Sequence, residues 1–361
     1  IQRRENDLVA ATFGRSFYVF DDIEVFRNLA DSVFEEEATL FPTRKAWWYI
    51  PRSHLGFYGK KSSQGESHFV ADNPEYGAVF TYYLKDSYQS MAAKRKEEEK
   101  AIGVDDDIPF PGWDAVAAEG AEQPMKIWLS ITDKNGTLIR KIPAATTKGF
   151  HRTAWDLRYA STNAVDLNQS QPQGRGIMVA PGNYYGQLRK EENGKIVDLT
   201  DKVLVELVPL HQPSLNNPRG AKREEFLLRY EKLTRDYTAF NKELSSTSTR
   251  QKALEVAYQQ SSLQDPSLSE LIFSVHKRQN SLTEKVRGNS AKRMVGEKTK
   301  PSISDRFYSV SSALGRSTYG PTTTAAQSLA IASNELSAYQ AEIKKIREQQ
   351  QVLADKRALN G

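Results

Sequence analysis

Cysteine is missing from all 361 residues, which rules out disulfides, thiolate zinc sites and thiol nucleophiles. That absence suits a cytosolic chain, and equally an exported bacterial one that avoids disulfides. Histidine is scarce. The five, His54, His68, His151, His211 and His276, include no pair at a short metal-ligand spacing, so no metal site is expected. No stretch approaches the ~18 consecutive apolar residues that a membrane-spanning helix requires. A phosphate loop is wanting too, because Gly174-Arg175-Gly176 follows a polar run and not a strand. No nucleophile-elbow motif is present. The first residue is Ile1, with no charged-then-apolar leader after it. The expectation is a mature or truncated piece of a longer protein.

What is present is a globular composition, with 39% hydrophobic and 26% charged residues, and enough length for two or three domains. The net charge of +5 is unevenly spread. From His211 onward 24 Lys and Arg face 15 Asp and Glu (+9), and the remainder carries 26 against 30 (−4). A basic second part can favour acidic partners, although helix surfaces are often basic for solubility alone.

Residues 1–28 read as two short strands. Leu8-Val9-Ala10-Ala11-Thr12 stops at Gly14-Arg15, and Phe17-Tyr18-Val19-Phe20 stops at Asp21-Asp22. Two strands alone are marginal, so they need a sheet to join. Residues 29–210 carry further short strands. Ala46-Trp47-Trp48-Tyr49-Ile50 ends at Pro51, and Ala78-Val79-Phe80-Thr81-Tyr82-Tyr83-Leu84 ends at Lys85-Asp86. Residues 87–123 read as an insertion, with a charged helix from Ser90 to Ile102 and then a loop through Asp105-Asp106-Asp107 and Pro109-Phe110-Pro111-Gly112. Strands resume at Met125 to Ile131 and at Thr137-Leu138-Ile139-Arg140, joined by Asn135-Gly136, a strong hairpin signal. Trp155-Asp156, Pro181-Gly182-Asn183-Tyr184 and Val203 to Val208 complete a pattern that predicts a β-sandwich.

After Pro209 the period changes. Phe226, Tyr230, Leu233, Tyr237, Phe240 and Leu244 form one heptad seam. Leu329, Ala332, Leu336, Tyr339, Ile343, Ile346, Gln350 and Leu353 form another, with Gln350 as its one polar position and the expected loose point. Two shorter helices, near 250–260 and 268–286, are expected between them, with another starting at Pro301-Ser302-Ile303-Ser304. Residues 211–361 are therefore expected to pack as an elongated antiparallel helical bundle.

Ala11-Thr12-Phe13-Gly14-Arg15, the aromatic strand after it and Asp21-Asp22-Ile23 resemble the closing strands of sortilin-like β-propellers in large exported bacterial proteins. Phe13 stands where that family usually has His. The Asp133-Lys134-Asn135-Gly136 turn, Trp155-Asp156 and Pro181-Gly182-Asn183-Tyr184 look like the Ig-like sandwich of the flagellar hook-capping protein. Pro301 to Arg306 and Gly320-Pro321-Thr322 look like the propeller family's closing helical segment. The resemblance implies an α+β multidomain chain: a propeller-blade remnant (1–28), an Ig-like β-sandwich (29–210) and a helical bundle (211–361). It further implies export to the periplasm, outer membrane or cell surface of a bacterium, and a protein partner or the rest of its own propeller. Members are often labelled glycosyl hydrolases, but that label rests on the propeller, and fold analogy supplies no active site.

No catalytic, metal or cofactor-binding residue is assigned. Asp21 and Asp22 are adjacent and point to opposite faces of a strand, so they do not form a glycosidase pair. Trp47, Trp48, Tyr49 and Tyr58 are candidate ligand-binding residues, an aromatic platform for a glycan or peptide. The competing reading is sheet core, since alternation puts Trp47 and Tyr49 on one face and Trp48 on the other. The basic stretch from Lys285 to Lys300 is the best candidate for a nucleic-acid or anionic-lipid patch, but it lacks interleaved aromatics, so a solvated linker is favoured there and no nucleic-acid partner is expected.

Overall fold

A computed structural model describes residues 2, 5–51, 67, 73–102, 107–123, 125–163, 165, 175–192, 194–211, 221–262 and 265–358. The chain is mixed α+β, with sheets first and long helices last. It divides into two compact units, Ile1–Ala160 with Pro181–Gln212, and Ser161–Ala180 with Pro213–Gly361. Residues 161–180, which the sequence leaves inside the sheet region, go with the helices.

The first unit opens with β1 (Leu8–Ala11) and β2 (Phe17–Phe20), then α1 (Glu24–Arg27) and a 3-10 turn at Asp31–Phe34. Next come β3 (Ala38–Leu40), β4 (Ala46–Trp48) and β5 (Ala78–Leu84). The helices α2 (Met91–Ala101) and α3 (Trp113–Ala121) are inserted before β6 (Lys126–Asp133), β7 (Leu138–Ala144) and β8 (Gly149–Trp155). The unit closes with β9 (Gly182–Glu192), β10 (Lys195–Asp198) and β11 (Val203–Pro209). The larger sheet has the order β4-β11-β9-β6-β7, with β10 extending β9, and the smaller has the order β3-β5-β8. Among the described residues, every strand pairing is antiparallel except β4 with β11.

Local chemistry explains the strand ends. The Asp133 carboxylate accepts from the Asn135 and Thr137 amides, both at 2.8 Å, and Gly136 turns at φ +81°. Only a residue without a Cβ adopts that angle freely, so the Asn-Gly pair closes β6 onto β7. Helix α3 was not expected. It lies beyond Pro111-Gly112, where the run Ala115-Val116-Ala117-Ala118 favours helix. Neither α2 nor α3 buries a residue, and Arg95 of α2 holds them together through Glu119 of α3 at 2.7 Å.

The two sheets share ring contacts. Phe80 on β5 is fully buried and lies against the bare backbone of Gly186 on β9, where a Cβ would stand 2.3 Å from the ring. Trp155 on β8 meets Tyr184 on β9 edge-on at 5.2 Å. Trp155 is core as expected, and its indole N–H donates to the Arg158 carbonyl at 2.9 Å. Asp156 beside it pairs with Arg140 at 2.8 Å, which ties the end of β8 to β7.

The second unit holds α4 (Ala221–Gln259), α5 (Pro266–Arg287), α6 (Ser290–Met294), α7 (Ile303–Arg316) and α8 (Thr323–Ala358). Both heptad seams face one apolar core: Phe226, Tyr230, Phe240 and Leu244 of α4 meet Leu329, Ala332, Leu336, Ile343, Ile346 and Leu353 of α8. Pairs Glu243–Arg347 and Thr247–Gln350 advance together, so α4 and α8 run in the same direction. Pairs Tyr258–Asp265 and Ser245–Arg287 run oppositely, as do Tyr237–Ser304 and Tyr230–Ser311. The return leg is thus α5 followed by α7. Asp265 with Pro266 starts α5, and a capping box between Ser302 and Asp305 starts α7.

The sequence suggested a break after Leu244, yet α4 continues through Ser245-Ser246-Thr247-Ser248-Thr249. The Thr247 hydroxyl donates back to the Glu243 carbonyl at 2.7 Å, and Thr249 does the same to Ser245 at 3.2 Å. The seam also persists, through Thr247, Gln251, Leu254 and Tyr258.

Gly186→Ala should overpack the ring contact between the sheets and cost about 1–3 kcal/mol in urea unfolding. Phe80→Leu in that background should recover part of the loss. An unchanged unfolding midpoint for Gly186→Ala would show that Phe80 does not press on β9.

Candidate functional site

The β1–β2 ribbon is built in an unusual way. Its register pairs Leu8 with Phe20, Val9 with Val19, Ala10 with Tyr18 and Ala11 with Phe17. Cross-strand partners share a face, so one face carries Leu8, Ala10, Tyr18 and Phe20, and the other Val9, Ala11, Phe17 and Val19. All eight are apolar or aromatic, and all eight are exposed. An ordinary surface ribbon alternates apolar with polar. Apolar residues on both faces are the pattern of strands covered on both sides. The tip adds Phe13, whose ring projects entirely into solvent, next to Gly14 at φ +70°.

The base of the ribbon is tightly rooted. Arg152, on β8, donates to the carbonyls of Asp21 at 2.8 Å and Asp22 at 3.2 Å. Its guanidinium also lies 5.6 Å from the centre of the Phe20 ring, whose other neighbour is Phe26 at 5.4 Å. The Asp7 carboxylate accepts from the Asp22 amide at 3.0 Å, and the Asn6 amide side chain donates to Glu24 at 2.6 Å. Asp22 takes φ +53°, and its carboxylate accepts from the Glu24 amide at 3.3 Å. These carboxylates are engaged in shaping a turn.

The structure splits the aromatic candidates. Trp48 is 2% exposed and belongs to the core with Ala46, so it cannot form a platform. Trp47 is half-buried on the other face, where Lys45 lies 4.7 Å from its ring and its indole N–H donates to Glu5 at 3.4 Å. Tyr49 is exposed on that face. Tyr76 packs edge-on to it at 5.0 Å and donates its hydroxyl to the Tyr49 carbonyl at 2.5 Å. Burial pushes the Tyr76 phenol up to about 12. Tyr58 lies outside the described residues.

Of the three described histidines, His151 and His276 have defined contacts. His151 contacts the Thr147 carbonyl at 2.6 Å, and His276 the Glu255 carboxylate at 2.9 Å. His54 and His68 fall outside the described residues, as do Asp105 and Asp106. Among the described residues, no three His, Asp or Glu side chains converge as a metal site would require.

Sequence reasoning missed one polar cluster. Glu37, just before β3, accepts from the Tyr88 hydroxyl at 2.6 Å and from the Lys190 ammonium on β9. The bond from Lys190, then that from Tyr88, holds the Glu37 carboxyl below its ordinary value. Burial, then Glu37, pushes the Tyr88 phenol up. No local signal marks residues so far apart in sequence. No family model, curated protein or solved structure matches the chain.

The cluster sets a pH window. A carboxyl held low stabilises above its ordinary value of 4.5, and that stability is lost as pH falls through the folded value. A phenol held high stabilises below its ordinary value of 10.0, and that stability is lost as pH rises through the folded value. Lys190→Ala should bring the Glu37 carboxyl, followed by carbon-detected NMR titration, back towards its ordinary value. The stability change should stay within about 1 kcal/mol, since Glu37 is largely exposed. A Glu37 titration that does not move would contradict this assignment.

Proposed function

We propose that this chain is a non-catalytic scaffold and interaction module of an exported sortilin-like propeller protein, mediating protein–protein association at the cell envelope. On this reading β1 and β2 are the last strands of a propeller blade, the first unit is an Ig-like β-sandwich and the second an elongated helical bundle. The work is done in the periplasm, at the outer membrane or on the cell surface of a bacterium, without a cofactor.

The observation that carries the reading is the ribbon: eight apolar or aromatic residues, exposed on both faces, on a base held firmly by Arg152, Asp7 and Asn6. Such a ribbon offers free edge hydrogen bonds and two apolar faces to an incoming sheet. Each large side chain covered on docking contributes about 1.5–3 kcal/mol.

A photo-crosslinking residue in place of Phe17, introduced in the native organism, should yield adducts with a β-propeller polypeptide. The same probe at Leu138, exposed on β7, should not. Adducts at both positions alike, or none at Phe17, would count against the reading.

A second reading, a carbohydrate-binding accessory part of a glycosyl hydrolase, draws on Trp47 and Tyr49 sharing one face beside Lys45. Trp47→Ala and Tyr49→Ala are the informative variants on a glycan array, because Trp48→Ala would report on the core. Glycan binding that both variants abolish favours this second reading, and a silent wild-type array removes it.

A further inference from the structure

Residues 285–300 contain six Lys and Arg against a single acid, Glu297. The sequence alone reads this stretch as a solvated linker, but it has built structure. Asn289 caps α6 by accepting from the Lys292 amide at 3.0 Å. At the other end Gly296 turns at φ +71°, the Glu297 amide donates to the Lys292 carbonyl at 3.0 Å, and the Gly296 amide donates to Arg293 at 3.2 Å. Those two bonds form a Schellman closure. Such a closure is usually sealed by an apolar contact between the two residues that its longer bond joins. Here those residues are Lys292 and Glu297, which form an ion pair at 3.6 Å.

Met294 and Val295 lie between those two residues and take no part in sealing the closure. Met294 is 87% exposed and Val295 78% exposed, on a stretch where every residue from 290 to 301 is exposed. Cations flank them in the sequence. Lys292 and Arg293 have exposed acidic partners, Glu297 and Asp305, at 3.6 and 3.4 Å, and Lys300 pairs with the half-buried Glu335 at 3.7 Å. Among the described residues, Lys285, Arg287 and Lys298 form no ion pair.

The geometry points to this turn as a surface that docks on an anionic phospholipid bilayer, with Met294 and Val295 entering the interfacial layer and the cations meeting headgroup phosphates. Weak apolar insertion and several cations reinforce each other at such a surface, and neither suffices alone. A nucleic acid would use the cations and leave the apolar tip idle, which is why the exposed pair favours lipid. The inference stands apart from the ribbon and its partner.

Flotation of the full chain with vesicles tests it. The chain should float with mixed phosphatidylglycerol–phosphatidylcholine vesicles and not with phosphatidylcholine alone, and raised salt should release it. Met294→Ser with Val295→Ser, both at exposed positions, should lower the partition coefficient roughly tenfold with an unchanged circular dichroism spectrum. Lys292→Glu with Lys298→Glu should lower it at least as much. Failure to float with the anionic vesicles would overturn the proposal, as would flotation that the serine pair leaves intact. An oligonucleotide duplex bound as tightly as the vesicles, and indifferent to the serine pair, would overturn it in favour of a nucleic-acid face.

Discussion

A two-stranded ribbon cannot bury side chains on both of its faces by itself. That constraint governs how β1 and β2 are read. The polar bonds at the base, from Arg152 to Asp21 and Asp22 and from Asp22 to Asp7, fix where the ribbon emerges. Each such bond contributes only about 0.5–1.5 kcal/mol net, and none of them covers Val9, Phe17 or Val19. The apolar surface of the ribbon is left for something else to cover. A rooted base with uncovered strands suits a docking element, because its edge is held ready and little ordering entropy remains to be lost on binding.

The helical unit shows the opposite balance. Gln350, expected to be the loose point of its seam, is fully buried, and its amide oxygen has no hydrogen-bond partner among the described residues. Its amide donates to the Thr247 carbonyl at 3.0 Å and to Gln251 at 3.2 Å, and Gln251 donates in turn to the Ile272 carbonyl of α5. A polar layer thus joins α8, α4 and α5 at one level. Buried polar layers of this kind fix the register of helices that apolar seams alone would let slide.

Much of the fold was legible where its cause is local. Asn135-Gly136, Asp265-Pro266 and Ser302 with Asp305 carry their turn and cap chemistry within a few residues. The heptads named the helix core almost residue by residue, because period alone decides which side is buried. The uninterrupted α4 was not legible, since a Ser-Thr run reads as a break until its hydroxyls are seen folded back on the helix. In the candidate site, alternation separated Trp48 from Trp47 and Tyr49 but could not say which face was core. The Arg152 root and the Glu37–Tyr88–Lys190 cluster were invisible because their members meet only through sheet pairing.

On the proposed reading, a partner sheet completes β1 and β2. Hydrogen–deuterium exchange over residues 8–20 tests it most directly, comparing the isolated chain with the chain in its native assembly. Fast exchange of the outward-facing amides is expected in isolation, and slow exchange throughout the ribbon in the assembly. Identical exchange in the two states would contradict it.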